Sequence, residues 1–184
     1  MLGATVVVLV LAAAGCGGGG VDEADATSTT VEPSTTSEPV PPSTAPTEEA
    51  AVLAAVDGYW RTYFEANDPP DPNYAGLASY SEGQALGITR ENAARRRTLR
   101  QAVRRSTSTL FERSTALVAL HGDEAEVKDC VVDGSQLVDV PSGVVLNDAV
   151  NTVRFRFSLD RIGGQWKVVE SVVVESLPDH ASCG

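Results

Sequence analysis

The sequence predicts an α+β domain, with N-terminal helices packed on one face of a curved antiparallel sheet. Between residues 48 and 105, apolar side chains recur at the spacing of helix faces. After Thr107, segments rich in Val, Thr, Phe and Leu alternate with short glycine-containing turns. Helices first and a run of antiparallel strands afterwards is the order that an α+β architecture produces.

The first predicted helix begins after Thr47, a residue suited to cap a helix N-terminus. Glu48 and Glu49 then occupy the first turn, where acidic side chains favour the positive end of the helix dipole. One continuous apolar face predicts a helix of about 17–20 residues. Three prolines end it, and a short second helix, broken at Gly83 or Gly87, is expected around Leu77 and Tyr80. The apolar face consists of Val52, Leu53, Val56, Tyr59, Trp60, Tyr63 and Phe64, and the prolines are Pro69, Pro70 and Pro72.

A third helix is predicted from Thr89 to Arg105, and it is rich in arginine. The spacing places Arg96, Arg100 and Arg104 on one helix face at i, i+4 and i+8. One interpretation is an anion-binding face for a phosphate, a lipid headgroup or an acidic polymer. The other is a solvated face whose guanidinium groups pair with acids of the same domain, and this interpretation is favoured.

Four strands are predicted in the second half of the chain, with turns at 121–123 and 161–164. Alternation is clearest from Val153 to Leu159, where an apolar face alternates with a basic one. Residues 133–148, which contain Pro141 and Gly143, are expected to form a loose hairpin extension. The predicted strands are Leu110–Leu120, Glu124–Val132, Ala149–Leu159 and Gln165–Leu177.

The charge of the chain argues against some partners. The formal net charge is −11, and the acids outnumber the bases by 25 to 14. A nucleic-acid-binding protein shows a basic excess instead, so no nucleic-acid partner is expected. Two His and three Cys leave too few soft ligands for an obvious zinc site. We therefore expect no metal and no cofactor.

The N-terminus predicts export. Residues 4–15 form an apolar run that is too short to span a membrane and has the length of the apolar region of a signal peptide. Small residues followed by Cys16 resemble the bacterial lipobox, in which the cysteine is lipidated and becomes the first mature residue. This resemblance implies a signal peptide over 1–15 and a lipid anchor on the extracytoplasmic side of the cell membrane. The alternative is a plain secretory signal whose cleavage removes Cys16.

Residues 16–47 predict a disordered tether between the anchor and the domain over 48–184. Ser, Thr, Pro and acids dominate this segment, and it holds too few large apolar side chains to form a core. The 27 residues from Val21 to Thr47 reach at most roughly 80 Å if their prolines keep them extended. It serves as a membrane spacer in one interpretation and as a solubilising linker in the other.

The layout of the domain resembles the nuclear-transport-factor-2-like superfamily, also called SnoaL-like. The shared features are a long first helix bearing Trp60 and Tyr63, a proline-rich break, short helices, and a final meander containing Gly-Gly-Gln-Trp-Lys-Val at 163–168. With the lipobox, the tether, Cys130 and Cys183, the chain looks like actinobacterial lipoproteins of that fold. The resemblance implies a cone whose interior can hold a small apolar ligand.

Cys130 and Cys183 are expected to form a disulfide. Two cysteines remain in an exported domain once Cys16 is acylated, and such an even pair is normally bridged outside the cytosol. The closed loop would contribute roughly 4 kcal/mol in the chain-entropy model. The alternative, a reactive thiol at Cys130 with His121 or His180 as base, has no support in the spacing.

The cone leaves three functions open. The favoured one is a lipid-anchored, non-enzymatic binding or accessory domain of the cell envelope, with a small apolar ligand or an envelope protein as partner. The second is a secreted isomerase- or dehydratase-type enzyme, which requires a buried, unpaired acid or His facing the cavity. The third is a structural module that docks through its sheet. No catalytic residue is assigned, and the candidates for cavity lining are Trp60, Tyr63, Tyr80 and Asp129.

Overall fold

The computed structural model describes residues 47–105 and 108–183, which form three helices and seven strands. The predicted signal peptide, Cys16 and almost all of the predicted tether lie outside these residues. The elements are α1 (Glu48–Glu65), α2 (Leu77–Tyr80), α3 (Gly83–Leu99), β1 (Gln101–Arg104), β2 (Phe111–His121), β3 (Glu124–Asp133), β4 (Gln136–Asp139), β5 (Val145–Asn147), β6 (Asn151–Ile162) and β7 (Gln165–Pro178).

Four long strands form the main sheet, which is antiparallel throughout in the order β2-β3-β6-β7. The helices precede the sheet in the chain and contribute their buried faces to a core shared with it. The predicted α+β class is therefore confirmed. The four predicted strands coincide with β2, β3, β6 and β7 to within about three residues at each end.

The N-terminal end of helix α1 is positioned by Thr47 and Glu48, the two residues that the sequence indicates there. The Thr47 side chain accepts a hydrogen bond from the Ala50 amide, 3.2 Å away, and so caps the N-terminus. Glu48 reaches β6 and β7, where its carboxylate accepts from Arg161 Nη2 at 2.7 Å and Trp166 Nε1 at 3.1 Å. These contacts fix the start of α1 against one end of the main sheet.

The core lies between α1, α3 and the inner face of the main sheet. Alternate residues of β3 and β6 point inward, and Phe157 and Leu159 have no exposed surface. Helix α1 contributes an aromatic group centred on Trp60, whose ring packs edge-on against Phe155 at 5.3 Å between centroids. The buried core comprises Val52, Ala55, Val56, Tyr59, Trp60, Ala85, Ala125, Val127, Val131, Phe157, Leu159, Trp166 and Val168.

The predicted extent of the third helix, Thr89 to Arg105, is wrong at both ends. Helix α3 starts earlier, at Gly83, and ends at Leu99, because Arg100 adopts the left-handed conformation (φ 56°) and the next residues form β1. Strand β1 pairs with β4, with Gln101 opposite Asp139. This pairing competes with helix continuation, so Arg104 lies on a strand and shares no helix face with Arg96.

The predicted hairpin over 133–148 is present as β4 and β5, which turn at 140–144. Strand β1 adds to its other side and gives a second, three-stranded sheet in the order β1-β4-β5. Residues 140–149 are all exposed. The hairpin therefore extends from the end of β3 into solvent.

The expected disulfide between Cys130 and Cys183 is formed, with a Cα–Cα distance of 5.5 Å. It holds the C-terminal tail to β3, and Thr152 of β6 fixes the same tail. The Thr152 hydroxyl accepts from the Ala181 amide at 2.9 Å and lies 3.0 Å from the Asp179 carbonyl. Among residues 47–105 and 108–183, no helix is long and apolar enough to cross a membrane.

Candidate functional site

Among the residues that the structure describes, Asp129 is the buried carboxylate, and it lies next to Trp60 on the inner face of β3. Its side chain has no exposed surface. Trp60 Nε1 donates to Asp129 Oδ2 at 2.7 Å, which joins α1 to the middle of the sheet. Because a buried charge is costly without partners, the hydrogen-bond donors around this carboxylate determine whether it has an oxygen free to contact a ligand.

Strand β2 supplies the remaining donors to Asp129. Arg113 Nη2 lies 3.2 Å from Oδ1, and its Nε lies 3.2 Å from Oδ2. The Thr115 hydroxyl donates to Oδ1 at 2.5 Å and accepts from Arg113 Nη2 at 2.9 Å. With Trp60, both carboxylate oxygens are engaged by a charged and two neutral donors. Asp129 is thus a paired structural anion, and its geometry leaves no oxygen directed at a substrate.

The guanidinium of Arg113 continues this network to the surface. Its Nη1 donates to Asp57 Oδ1 of α1 at 2.8 Å, and the guanidinium carbon lies 5.9 Å from the Trp60 ring centroid. Asp57 is 71% exposed, whereas Arg113 is 14% exposed. One arginine therefore links a solvated carboxylate to a buried one.

A separate cavity of about 300 Å³ opens between α1, α3 and the inner face of the sheet. Its walls are mainly aromatic and aliphatic, with hydroxyl, amide and one carboxylate group among them. This size is at the lower end of small-molecule sites, and the mixture of apolar walls with a few polar groups is typical of them. The lining residues are Tyr59, Trp60, Tyr63, Ile88, Thr89, Asn92, Val131, Asp133, Val153, Phe155, Ser171 and Val173.

Tyr59 and Thr89 form the buried polar part of the cavity wall. The Thr89 hydroxyl donates to the Ala85 carbonyl at 3.0 Å, so the Tyr59 hydroxyl, 3.4 Å away, is the donor between the two side chains. Burial raises the pKa of Tyr59 above its ordinary value. The phenol therefore stays neutral and can orient a ligand through a hydrogen bond.

The predicted cavity-lining residues divide into two groups. Trp60 and Tyr63 line this cavity, whereas Asp129 lines a different groove of about 630 Å³, together with Cys130 and Phe155. Tyr80 lies in a different surface groove, where its ring covers Gly58 and its hydroxyl accepts from Arg61 Nη2 at 2.8 Å. Tyr80 is directed elsewhere because α2 packs on the side of α1 away from the cavity lining.

The three arginines of the predicted anion face are also separated. Arg96 Nη1 donates to Asn67 Oδ1 at 2.7 Å, and Arg104 forms an ion pair with Asp68 at 2.9 Å. Arg100 ends α3 in the left-handed conformation. The i, i+4, i+8 face is therefore absent, and the contact of Arg104 agrees with the interpretation that the domain pairs its own charges.

Sequence reasoning missed Arg113, Thr115, Thr89 and Asn92. The first two lie on one face of β2, where Thr115 pairs with Asp129 and Arg113 with the next residue of that face, Val131. A signal was present, since an arginine and a threonine two residues apart point to one face of a strand. The register between β2 and β3 decides that these side chains meet Asp129, and it cannot be deduced from the sequence of either strand alone.

The described residues hold no group of three or more His, Cys, Asp or Glu side chains arranged to bind a metal ion. The carboxylate best placed to be a ligand, Asp129, is already paired with Arg113. The cavity walls are mainly aromatic and aliphatic, with hydroxyls, an amide and a single carboxylate, and this mixture suits an organic ligand better than a cation.

No protein-family model and no curated protein matches the chain. Among solved structures, the intermembrane space region of the chloroplast protein ARC6 is similar over 73% of this chain and 100% of that one, with a TM-score of 0.54 and 16% identity. A scytalone dehydratase-like protein of Novosphingobium aromaticivorans DSM 12444 is 16% identical, covers 71% of this chain and 89% of its own, and has a TM-score of 0.41. The likeness to ARC6 shows a shared fold.

Proposed function

We propose that this protein is a non-enzymatic binding domain located outside the cytosol and held to the cell membrane by a lipid on Cys16. Its cavity between α1, α3 and the sheet would take a small, mainly apolar molecule with one hydrogen-bonding end. The observation that carries the proposal is the lining of this cavity, in which aromatic and aliphatic walls surround the Tyr59–Thr89 hydroxyl pair.

Binding is favoured over catalysis by the state of the nearby acids. Asp129 is held by Arg113, Trp60 and Thr115, so it has no oxygen free to take a proton from a ligand. Asp133, which lines the cavity, accepts the Ser135 amide at 2.8 Å. A general base needs a free carboxylate oxygen within reach of its substrate; both oxygens of Asp129 are engaged, and Oδ1 of Asp133 is held by the Ser135 amide.

A location outside the cytosol is supported by the disulfide between Cys130 and Cys183. Such bridges persist in oxidising compartments and are rare in the cytosol. The ARC6 region with the same fold is also described as belonging to an intermembrane space. Both observations agree with the exported, anchored chain that the N-terminal sequence predicts.

Ligand binding is tested with the full chain and the fluorescent probe 1-aminoanthracene. We expect saturable enhancement of its fluorescence, lost in Asn92→Phe, which fills the cavity from α3. The matched control is Val118→Phe, because Val118 is exposed on β2 and lies outside the lining. Equal binding by both variants, or no binding by the wild type, would contradict the proposed site. If the site is confirmed, mass spectrometry of solvent extracts of the purified protein would identify the natural ligand.

The lipid anchor is tested separately by metabolic labelling with palmitate. We expect label in the wild type and none in Cys16→Ser, because the acyl chains attach to this cysteine in the proposed anchor. Equal label in both proteins would remove the anchor from the proposal and leave the cavity unaffected.

A further inference from the structure

The buried polar part of the cavity wall offers hydrogen-bond acceptors, because its hydroxyl protons are already in use. Thr89 has one hydroxyl proton and donates it to the Ala85 carbonyl, 3.0 Å away. Tyr59 is therefore the donor in its 3.4 Å contact with Thr89, and its own single proton is used there. Tyr59 is 5% exposed and Thr89 is 1% exposed. The two buried oxygens thus have only lone pairs left for a molecule in the cavity.

Ser171 of β7 extends this chain of hydroxyl groups. Its side chain interacts with the Tyr59 oxygen by a hydrogen bond. Since the Tyr59 proton is used on Thr89, the proton in this contact comes from Ser171. The backbone of Ser171 is fixed as well, because its amide donates to Gln84 Oε1 at 3.0 Å. The chain therefore runs in one direction and ends on the Ala85 carbonyl, while its open end, the Ser171 oxygen, is an acceptor.

The other polar groups of the lining do not reverse this balance. Asp133 adds a carboxylate, which only accepts, and the Asn92 amide both donates and accepts, so it favours neither kind of ligand. The lining residues include no Lys, Arg or His. Arg105 acts electrostatically on Asp133 from outside the lining, where its guanidinium lies 3.9 Å from the Phe111 ring centroid. The lining is therefore rich in acceptors without being strongly negative.

We propose that the ligand of this cavity is an apolar alcohol or amine, whose O–H or N–H group donates to the hydroxyl chain, and that ketones, ethers and carboxylates are disfavoured. This inference rests on the proposed binding function and specifies the chemistry of its ligand. A donor adds to the chain at the Ser171 or Tyr59 oxygen and leaves every existing hydrogen bond in place.

An acceptor-only ligand lacks this advantage. It receives a proton from the chain only if one hydroxyl group turns away from its present partner, which then loses a buried hydrogen bond. One net hydrogen bond is worth about 1 kcal/mol, which corresponds to about fivefold in affinity. A carboxylate is disfavoured further, because its charge would be buried without a cation in the lining.

The test compares molecules that share one apolar body and differ in the polar group. The full chain is loaded with 1-aminoanthracene, and 1-naphthol, 1-aminonaphthalene, 1-naphthaldehyde and 1-naphthoate are titrated as competitors. We expect the two donors to bind about fivefold more tightly than the aldehyde, and the naphthoate to bind most weakly. The naphthol and the aminonaphthalene show separately whether O–H and N–H groups are accepted.

Two variants of similar shape test whether the hydroxyl chain causes the preference. Thr89→Val removes the acceptor at the end of the chain, so one hydroxyl proton is released towards the cavity, and the preference should reverse in favour of 1-naphthaldehyde. Tyr59→Phe interrupts the chain and should bring the ratio of the two affinities to about one. The matched control is Tyr74→Phe, which removes a phenol that donates to Glu65 outside the cavity lining and should leave the ratio unchanged.

The outcomes separate this inference from the proposed function. Equal displacement of the probe by donors and by the aldehyde would overturn the inference and leave the cavity in place as a ligand site. A preference for donors that persists unchanged in Thr89→Val would also overturn it, because the hydroxyl chain would not be its source. Failure of the wild type to bind 1-aminoanthracene would overturn the proposed function and this inference together.

Discussion

Trp60 Nε1 donates a 2.7 Å hydrogen bond to the buried carboxylate of Asp129, and this bond joins the first helix to the third strand at the centre of the domain. The same indole forms one wall of the cavity on its other side. The hydrogen bond to Asp129 therefore fixes the orientation of the indole ring, and the same ring forms part of the apolar cavity wall. Any change to the Asp129 network should alter both the stability of the domain and the shape of the cavity.

The first prediction compares the two carboxylates that share Arg113. Asp129→Asn leaves the nearly buried guanidinium without its buried counter-charge, so the free energy of unfolding should fall by about 3–5 kcal/mol. Asp57→Asn removes the exposed partner of the same arginine and should cost about 0–1 kcal/mol. Denaturant unfolding of the two variants measures the difference. Similar losses in both would show that Asp129 is not the main partner of Arg113.

The second prediction concerns the Cys130–Cys183 bridge. Peptide mapping of the protein isolated from its native source, without reduction, should recover the two cysteines as a linked pair. Replacing both by Ala should lower the free energy of unfolding by about 4 kcal/mol, because the open loop gains entropy in the unfolded chain. The tail should also become sensitive to carboxypeptidase. Two alkylatable thiols in freshly isolated protein would contradict the prediction.

The sequence predicts the main sheet well and the end of α3 poorly, for a physical reason. Strands β6 and β7 can be predicted from their own residues, because the alternation of side chains and the glycine turn between the strands are local features. Strand β1 is four residues long, follows a strong helical pattern, and owes its conformation to β4, about 35 residues further along the chain. Local propensity is overridden there by a non-local pairing.

The site shows the same division between local and non-local information. Trp60 and Tyr63 are found because helical spacing places them on one face of α1. Arg113 is missed because its importance depends on the register between β2 and β3, which sets Thr115 opposite Asp129. Residue type and spacing predict which side chains share a helix face. An ion pair across two strands can be predicted only when the register of those strands is known.

The third prediction is a pH dependence at the start of α1. Hydrogen bonds from Trp166 and then Arg161 hold the pKa of Glu48 below its ordinary value of 4.5. The unfolded chain therefore binds this proton more readily than the folded one. The stabilisation by Glu48 is fully present above about pH 4.5 and is lost as the pH falls through the lower pKa of the folded state.

Glu48→Gln should therefore be less stable than the wild type near neutral pH, and the difference should shrink in acid. Denaturant unfolding between neutral pH and pH 3 measures it. The control is Glu49→Gln, which removes a carboxylate from the same first turn without touching the contacts to Trp166 and Arg161. A constant difference between Glu48→Gln and the wild type across this range would show that the carboxylate charge has no part in the contact.

The fourth prediction uses two helical glycines with opposite surroundings. A Cβ at Gly58 of α1 would lie 2.2 Å from Cδ1 and Cε1 of the Tyr80 ring, whereas one at Gly87 of α3 would meet nothing within 4 Å. Alanine favours helix by about 0.5–1 kcal/mol over glycine, so Gly87→Ala should raise the free energy of unfolding by that amount. Gly58→Ala should lower it by roughly 1–2 kcal/mol, because overpacking against the ring costs about 1–3 kcal/mol.

A double-mutant cycle separates the steric conflict at Gly58 from a general effect on α1. In a Tyr80→Ala background the ring is absent, so Gly58→Ala should become stabilising, by about the same 0.5–1 kcal/mol as Gly87→Ala. The interaction term between the two positions, measured by denaturant unfolding of all four proteins, should then exceed 1 kcal/mol. If Gly58→Ala destabilises equally with and without the ring, its cost arises within α1, and the close packing of Tyr80 on this glycine is not its cause.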